Sequence, residues 1–283
     1  MSVVGAGGVG KTRVAVQVGA DVLDGYSDGA WFIDLAPLAQ GALVDRAVLA
    51  ALQVPSTTAS ALDRVIAYLE TRHVLLILDN CEHVVAQACE VVEKIAERCP
   101  SVKILAPSRR ALEVAGEQVY RLPSLSVPPD SCQHSQDASS YGAVALFVDR
   151  ARAVDPAFAL TDGNARDVVD ICRRLDGIPF AIELAASRTR VLAPRQIAQR
   201  LDQRFRLLTG GGPRALPRHQ TMTALLDWSY DLLTPREQQF FESLSIFASG
   251  CTLDAATEVC ATDGEDDLDV IELITSLVTK SLL

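Results

Sequence analysis

Up to about residue 125 the chain alternates short apolar runs with amphipathic stretches, the pattern of βαβ units around a parallel sheet. It predicts strands over residues 2–4, 30–35, 74–78, 102–106 and 119–122. Val74, Leu75, Leu76, Ile77 and Leu78 are apolar without a break, as suits a central strand covered on both faces. Val84, Ala88, Val91, Val92 and Ile95 then recur at helical spacing, with Gln87, Glu90, Lys94 and Glu97 on the other side, which predicts a crossover helix.

From residue 123 to 141 Pro, Ser, Asp and Gln take over, including Pro128-Pro129 and Ser139-Ser140, so a linker is predicted at residues 126–141. Beyond it the strand signal fades. Residues 142–210 read as a small domain of three or four helices punctuated by Gly177 and Pro179, and residues 211–283 as a third, mainly helical domain. Thr234-Pro235 is a good helix start there, because threonine caps and proline suits the first turn.

Composition narrows the function classes. The net charge of -10 argues against a protein that coats nucleic acid or anionic membranes, and no apolar run reaches the ~18–20 residues of a membrane span. The seven cysteines include no C-x-x-C pair, so neither a zinc nor a disulfide framework is indicated and a reduced, cytoplasmic setting is expected.

Gly5-Ala6-Gly7-Gly8-Val9-Gly10-Lys11-Thr12 fits G-x-x-x-x-G-K-[ST] in full, after a short strand and before a helix on which Val14, Val18 and Val22 form a stripe. Glycines let such a loop wrap phosphates with its N–H groups, and the helix N-terminus adds partial positive charge. Lys11 is expected to reach the β and γ phosphates and Thr12 to ligate Mg²⁺. Gly5, Gly7, Gly8, Val9, Gly10 and Arg13 complete the expected nucleotide contacts.

Asp79 follows the apolar strand directly, where ligands of open α/β sheets sit, and is the candidate magnesium-associated acid; Asp79-x-x-Glu82 also reads as a capping box. Asn80 cannot serve as a base, which leaves Glu82 as the nearest candidate to orient attacking water. Ser108-Arg109-Arg110 follows the next strand, so Arg109 is a candidate γ-phosphate sensor, with a solvated helix-start arginine as the alternative. No asparagine is followed by lysine, so the guanine signature N-K-x-D is missing and ATP is the expected nucleotide.

In this order the motifs resemble the NB-ARC branch of the STAND nucleotide switches, as found in bacterial LuxR-like and related transcriptional regulators. The resemblance rests on residues 5–12, on Leu75-Leu76-Ile77-Leu78-Asp79-Asn80-Cys81-Glu82-His83, on Ser108-Arg109, on Gly177-Ile178-Pro179-Phe180 and on Leu226-Asp227-Trp228-Ser229-Tyr230-Asp231-Leu232-Leu233. It implies an α/β P-loop domain (1–125), a small helical domain (142–210) and a winged-helix domain (211–283) closing on ATP or ADP with Mg²⁺. It also implies that Pro179 packs on adenine, that Arg109 is the first sensor and that Asp79 is the magnesium-associated acid. Pro107 departs from the threonine often found before the Ser-Arg pair, and Asn80 from the second acid of other branches. With so short a first strand and an apolar run at its end, the chain is expected to be a fragment of a longer protein with effector and sensor domains.

A switch is therefore expected, with a slow ATPase activity; the alternative is a P-loop phosphotransferase acting on a small acceptor, for which no separate acceptor motif stands in the chain. Residues 218–283 hold Arg218, Arg236 and Lys280 against twelve acidic residues, a net of -9 that disfavours direct DNA binding. Arg195, Arg200, Arg204, Arg206, Arg214 and Arg218 face Asp202 alone, and either neutralise that acidic region or meet phosphate across a hinge at residues 210–212. A nucleotide-dependent homo-oligomer stands among the candidate partners.

Overall fold

The computed structural model describes residues 1–38, 43–55, 60–132, 134–209, 226, 230–231, 233–247, 250–262, 264–280 and 282–283, the side chains of 202–209 and 279 apart. Its contacts divide the chain into two compact units, Met1–Pro123 and Ser124–Leu283.

In the first unit β1 (Ser2–Val4), β2 (Ala30–Asp34), β3 (Leu75–Asp79), β4 (Lys103–Ser108) and β5 (Val119–Arg121) form one sheet in the order β2-β3-β4-β1-β5. Every adjacent pair is parallel. Parallel neighbours need long crossovers, and α1 (Lys11–Asp21), α2 (Val44–Ala51), α3 (Ala61–Leu69) and α4 (Val85–Arg98) lie in them. All five residues of β3 are buried. Its pleat sends Leu76 and Leu78 into a core with Val48, Val65 and Ile95, and Leu75 and Ile77 into another with Val3, Ala15 and Leu105.

Two details depart from the sequence pattern. Strand β3 runs on through Asp79, and β4 through Pro107 and Ser108. Pairing of β4 with β3 ends at Leu105, while Ala106, Pro107 and Ser108 pair with β1, so the missing N–H of Pro107 falls past the ladder with β3. On α1 the expected valine stripe is not the buried face: Val18 and Val22 are exposed, and Ala15 and Gly19 are buried. The helix lies so close to the sheet that a Cβ on Gly19 would stand 2.7 Å from Ile77 Cδ1, which favours small residues at the contact.

In the second unit, residues 124–141 carry the one-turn helix α5 (Ser135–Ala138), and Leu125, Val127 and Ala138 pack on the helical core. That core is built by α6 (Gly142–Val154), α7 (Asp162–Arg174), α8 (Pro179–Ala186) and α9 (Pro194–Thr209), around Phe147, Ile171, Leu175 and Ile182. After α7 the chain turns through two left-handed residues, Asp176 at φ 52 and Gly177 at φ 63; the Gly177 N–H donates to Cys172 O and its own O accepts the Leu125 N–H at 2.9 Å. Pro179 is the first residue of α8, where a missing N–H costs nothing.

Gly210, Gly211, Gly212, Arg214 and Arg218 lie outside the described residues, as do the side chains of Arg204 and Arg206, while Arg195 and Arg200 are exposed. Asp227, Trp228, Ser229 and Leu232 of the Leu226-to-Leu233 motif also lie outside them. Among the described residues of 211–283 the regular elements are helical: α10 (Pro235–Leu244), α11 (Leu253–Cys260) and α12 (Asp267–Thr279), packed around Phe240, Val270 and Leu277. Thr234 caps α10, its Oγ1 accepting the Glu237 N–H at 3.3 Å while the Glu237 carboxylate accepts the Thr234 N–H at 2.7 Å. Glu237 is buried and also accepts from Ser276 Oγ at 2.5 Å and from the Lys280 ammonium; the buried Arg188 adds a second positive charge nearby.

Two outcomes follow from this packing. Gly177→Ala would force a Cβ to within 2.2 Å of Leu125 O in a left-handed backbone, and is expected to lower stability by about 2–4 kcal/mol in urea unfolding. Burial alone would raise the Glu237 pKa, but the bonds from Lys280, Ser276 and the Thr234 amide outweigh it and hold the group at about 2, below its ordinary 4.5. A depressed folded value stabilises fully above pH 4.5 and is lost as pH falls toward 2. Glu237→Gln should therefore flatten the loss of melting temperature over that pH range, and lower the neutral-pH stability by roughly 2–4 kcal/mol by stranding the facing cations.

Candidate functional site

The loop of residues 5–12 leaves β1 and enters α1 through two left-handed glycines, Gly8 at φ +73 and Gly10 at φ +95. Only glycine adopts that backbone freely. A Cβ on Gly5 would meet Val9 Cγ1 at 3.0 Å and Leu122 O at 3.3 Å, whereas Gly7 faces open space. Val9 is buried and anchors the loop, and Arg13 is exposed on the first turn of α1. The turn's N–H groups point along the helix axis into the loop, where the macrodipole favours an anion.

Lys11 Nζ donates to Ala6 O at 3.1 Å, folding the side chain back over the loop. Thr12 Oγ1 donates to Asp79 Oδ2 at 2.7 Å. The two residues that the sequence assigns to a metal, 67 positions apart, are therefore in direct contact. Asp79 is 2% exposed, and burial raises its pKa against the Thr12 hydroxyl and the Asn80 backbone amide, which lower it; Asp34 and Glu82 add to the rise. Burial likewise lowers the Lys11 pKa, opposed by Glu82, reinforced by Arg109 and opposed again by Asp79. Lys11, Asp79, Glu82 and Arg109 thus share one electrostatic neighbourhood.

The capping-box alternative for Asp79 and Glu82 is not formed. The turn Cys81–His83 is led by Asn80 in a left-handed conformation, with no side-chain cap. Glu82 Oε1 instead pairs with Arg109 Nε at 3.1 Å, with Arg109 70% exposed and Glu82 25%. So exposed a pair is weak by itself, which leaves Arg109 able to exchange partners at little cost. Glu82 Oε2, His83 Nε2 and Ser108 Oγ are buried without a hydrogen-bond partner, as are atoms well away from the loop such as Arg64 Nε and Thr257 Oγ1. Pro179 belongs to the second unit. An ammonium, a guanidinium and a set of N–H groups suit a polyanion, and a threonine hydroxyl with a carboxylate suits a hard divalent cation. Among the described residues, no group of three or more His, Cys, Asp and Glu is gathered to hold a metal by itself.

No family model matches the chain. It is 41% identical over 280 residues to "Putative HTH-type transcriptional regulator Rv0890c" of Mycobacterium tuberculosis, covering 99% of this chain and 30% of that protein. It is 38% identical over 264 residues to the uncharacterized protein Rv0894 of the same organism, covering 93% and 64%. Regulatory protein AfsR of Streptomyces griseus is 29% identical over 301 residues, covering all of this chain and 27% of its own length. Two of these three relatives carry the names of regulators. The chain spans 30% of the length of the first of them. In fold it is similar to the crystal structure of the Signal Transduction ATPase with Numerous Domains (STAND) protein with a tetratricopeptide repeat sensor PH0952 from Pyrococcus horikoshii. That likeness has a TM-score of 0.58 at 11% identity and covers all of this chain and 36% of that one. It concerns fold alone.

Sequence reasoning passed over Asp34, which ends β2 beside Asp79 and accepts a hydrogen bond from Asn80. The signal was present: Asp34 ends its apolar strand as Asp79 does. It also passed over Glu117, which accepts the Ser2 hydroxyl and the N–H groups of Leu112 (2.9 Å) and Glu113 (2.7 Å), tying the segment after Arg109 to β1. Nothing in the local pattern marks that acid, because its partners are distant or main-chain.

No helix among the described residues is long and apolar enough to cross a membrane.

Proposed function

We propose that the chain is the ATP- and ADP-binding switch of a transcriptional regulator, a STAND module of NB-ARC type with slow Mg²⁺-dependent hydrolysis. The observation that carries the reading is the Thr12 Oγ1 to Asp79 Oδ2 contact of 2.7 Å at the mouth of the glycine loop. Gly5, Gly7, Gly8, Val9, Gly10 and Arg13 would surround the phosphates, Lys11 would neutralise the β and γ groups, and Thr12 and Asp79 would hold Mg²⁺. Bound there, Mg²⁺ supplies charge neutralisation for the phosphates. Arg109 leaves Glu82 for the γ-phosphate when ATP is present and returns when it is not, so nucleotide state is read as an exchange of ion-pair partners.

Slow turnover follows from the same arrangement. Asn80, the residue after Asp79, supplies no base, and Glu82, the nearest carboxylate able to orient water, is paired with Arg109 at 3.1 Å until ATP draws the arginine away. The phosphotransferase alternative needs a base and an acceptor pocket beside the loop, and the chain holds no separate motif for either. In this reading Pro179 packs on adenine, residues 211–283 form a winged-helix clamp that does not itself bind DNA, and effector and sensor domains lie elsewhere in a cytoplasmic protein. Nucleotide-dependent self-association is part of the same proposal.

Lys11→Ala is expected to weaken ATP binding about tenfold or more, ~1.4 kcal/mol, in titration calorimetry. An unchanged dissociation constant would sink the phosphate-loop assignment. Asp79→Asn keeps the shape and the Thr12 bond but loses the charge, so Mg²⁺ should stop strengthening ATP binding while the melting temperature stays near that of the parent chain. Parent-like magnesium dependence in this variant would remove Asp79 from the metal site.

A further inference from the structure

We infer that Asp34 is a positioning residue of the nucleotide site, holding Asp79 through the side chain of Asn80, an inference that rests on the reading of residues 5–12 as a Mg²⁺–ATP site. Parallel register sets Asp34 beside Asp79 at the ends of β2 and β3, and the Leu35 N–H donates to Asp79 O at 3.1 Å, which fixes the two strand ends together. The Asp34 carboxylate is itself held, because the Ala36 N–H donates to its Oδ1 at 2.9 Å. That same Oδ1 accepts Asn80 Nδ2 at 3.0 Å, and the amide also reaches Asp79 Oδ2 at 3.4 Å.

The orientation of the Asn80 amide follows from its surroundings. Both neighbours are carboxylates, which only accept, so the NH₂ side must face them. Asp79 Oδ2 is also the atom that takes the Thr12 hydroxyl. One unbroken set of bonds therefore runs from β2 through Asp34 and Asn80 to the oxygen that meets the phosphate loop. Asn80 reaches both acids because its backbone is left-handed, at φ 58 and ψ 45, a conformation asparagine tolerates better than most side chains. A carboxylate at position 80 would set a third acceptor against two others, with no donor to join them. Removing Asp34 takes away the closer of the amide's two acceptors, so Asn80 turns to water and Asp79 loses its lateral support. Groups that orient a metal-associated carboxylate in this way govern metal affinity without touching the ion.

The test is calorimetric titration of the 283-residue chain with ATP, in Mg²⁺ and again in EDTA, taking the ratio of the two affinities. Asp34→Ala and Asn80→Gly, the latter keeping the left-handed backbone free of strain, are each expected to lower that ratio about tenfold. Asp34→Asn retains a carbonyl acceptor for the Asn80 amide and is expected to keep the parent ratio within about twofold. A purely structural Asp34 would shift the melting temperature of Asp34→Ala and leave the ratio alone. A parent-like ratio in Asp34→Ala, or a loss in Asp34→Asn as large as in Asp34→Ala, overturns the positioning role and leaves the ATP site standing. A parent chain whose ATP binding ignores Mg²⁺ overturns the reading beneath it.

Discussion

Asp79 carries a carboxylate that is 2% exposed, at the end of a strand whose every residue is buried, and a buried charge without partners costs several kcal/mol. The first unit is arranged around answering it. The Thr12 hydroxyl comes from α1, the Asn80 backbone amide from the turn that follows, and the Asn80 side chain brings in Asp34 from the neighbouring strand. For Thr12 to arrive, the loop before it must turn through left-handed backbone at Gly8 and Gly10 and α1 must approach the sheet closely, which is why Ala15 and Gly19 form its inner face. A carboxylate buried beside a threonine hydroxyl, under the open end of a helix dipole, is chemistry that suits a cation and an anion together.

Around that fixed centre the charges are less firmly held. Lys11 rests on a backbone carbonyl and Arg109 on a partly exposed glutamate, each a modest interaction. On the proposed reading, the buried acid would set where a metal goes and the loosely held cations would report whether a terminal phosphate is there.

The second unit shows the same economy of means. Gly177 is confined by a carbonyl that no side chain could clear, and this joins residues 124–127 to the turn before α8. Glu237 caps its own helix and gathers Ser276 and Lys280 from α12, so one acid fixes two helices.

The sequence by itself determined the element order, the parallel sheet and the phosphate loop, because these depend on local period and on residues adjacent in the chain. Thr12 and Asp79 were legible for the same reason: each ends a motif whose geometry is local. What the tertiary structure decided were matters of partner. The buried side of α1 was set by how near β3 lies, which the valine spacing does not encode. Asp79 and Glu82 also read as a capping box, and the left-handed turn at Asn80 directs them to Thr12 and Arg109 instead. Asp34 carried the same strand-end signal as Asp79, but its donor Asn80 lies 46 positions on; Glu117 and Glu237 went unread because such acids look solvated until the fold brings Ser2 to the one and Ser276 and Lys280 to the other.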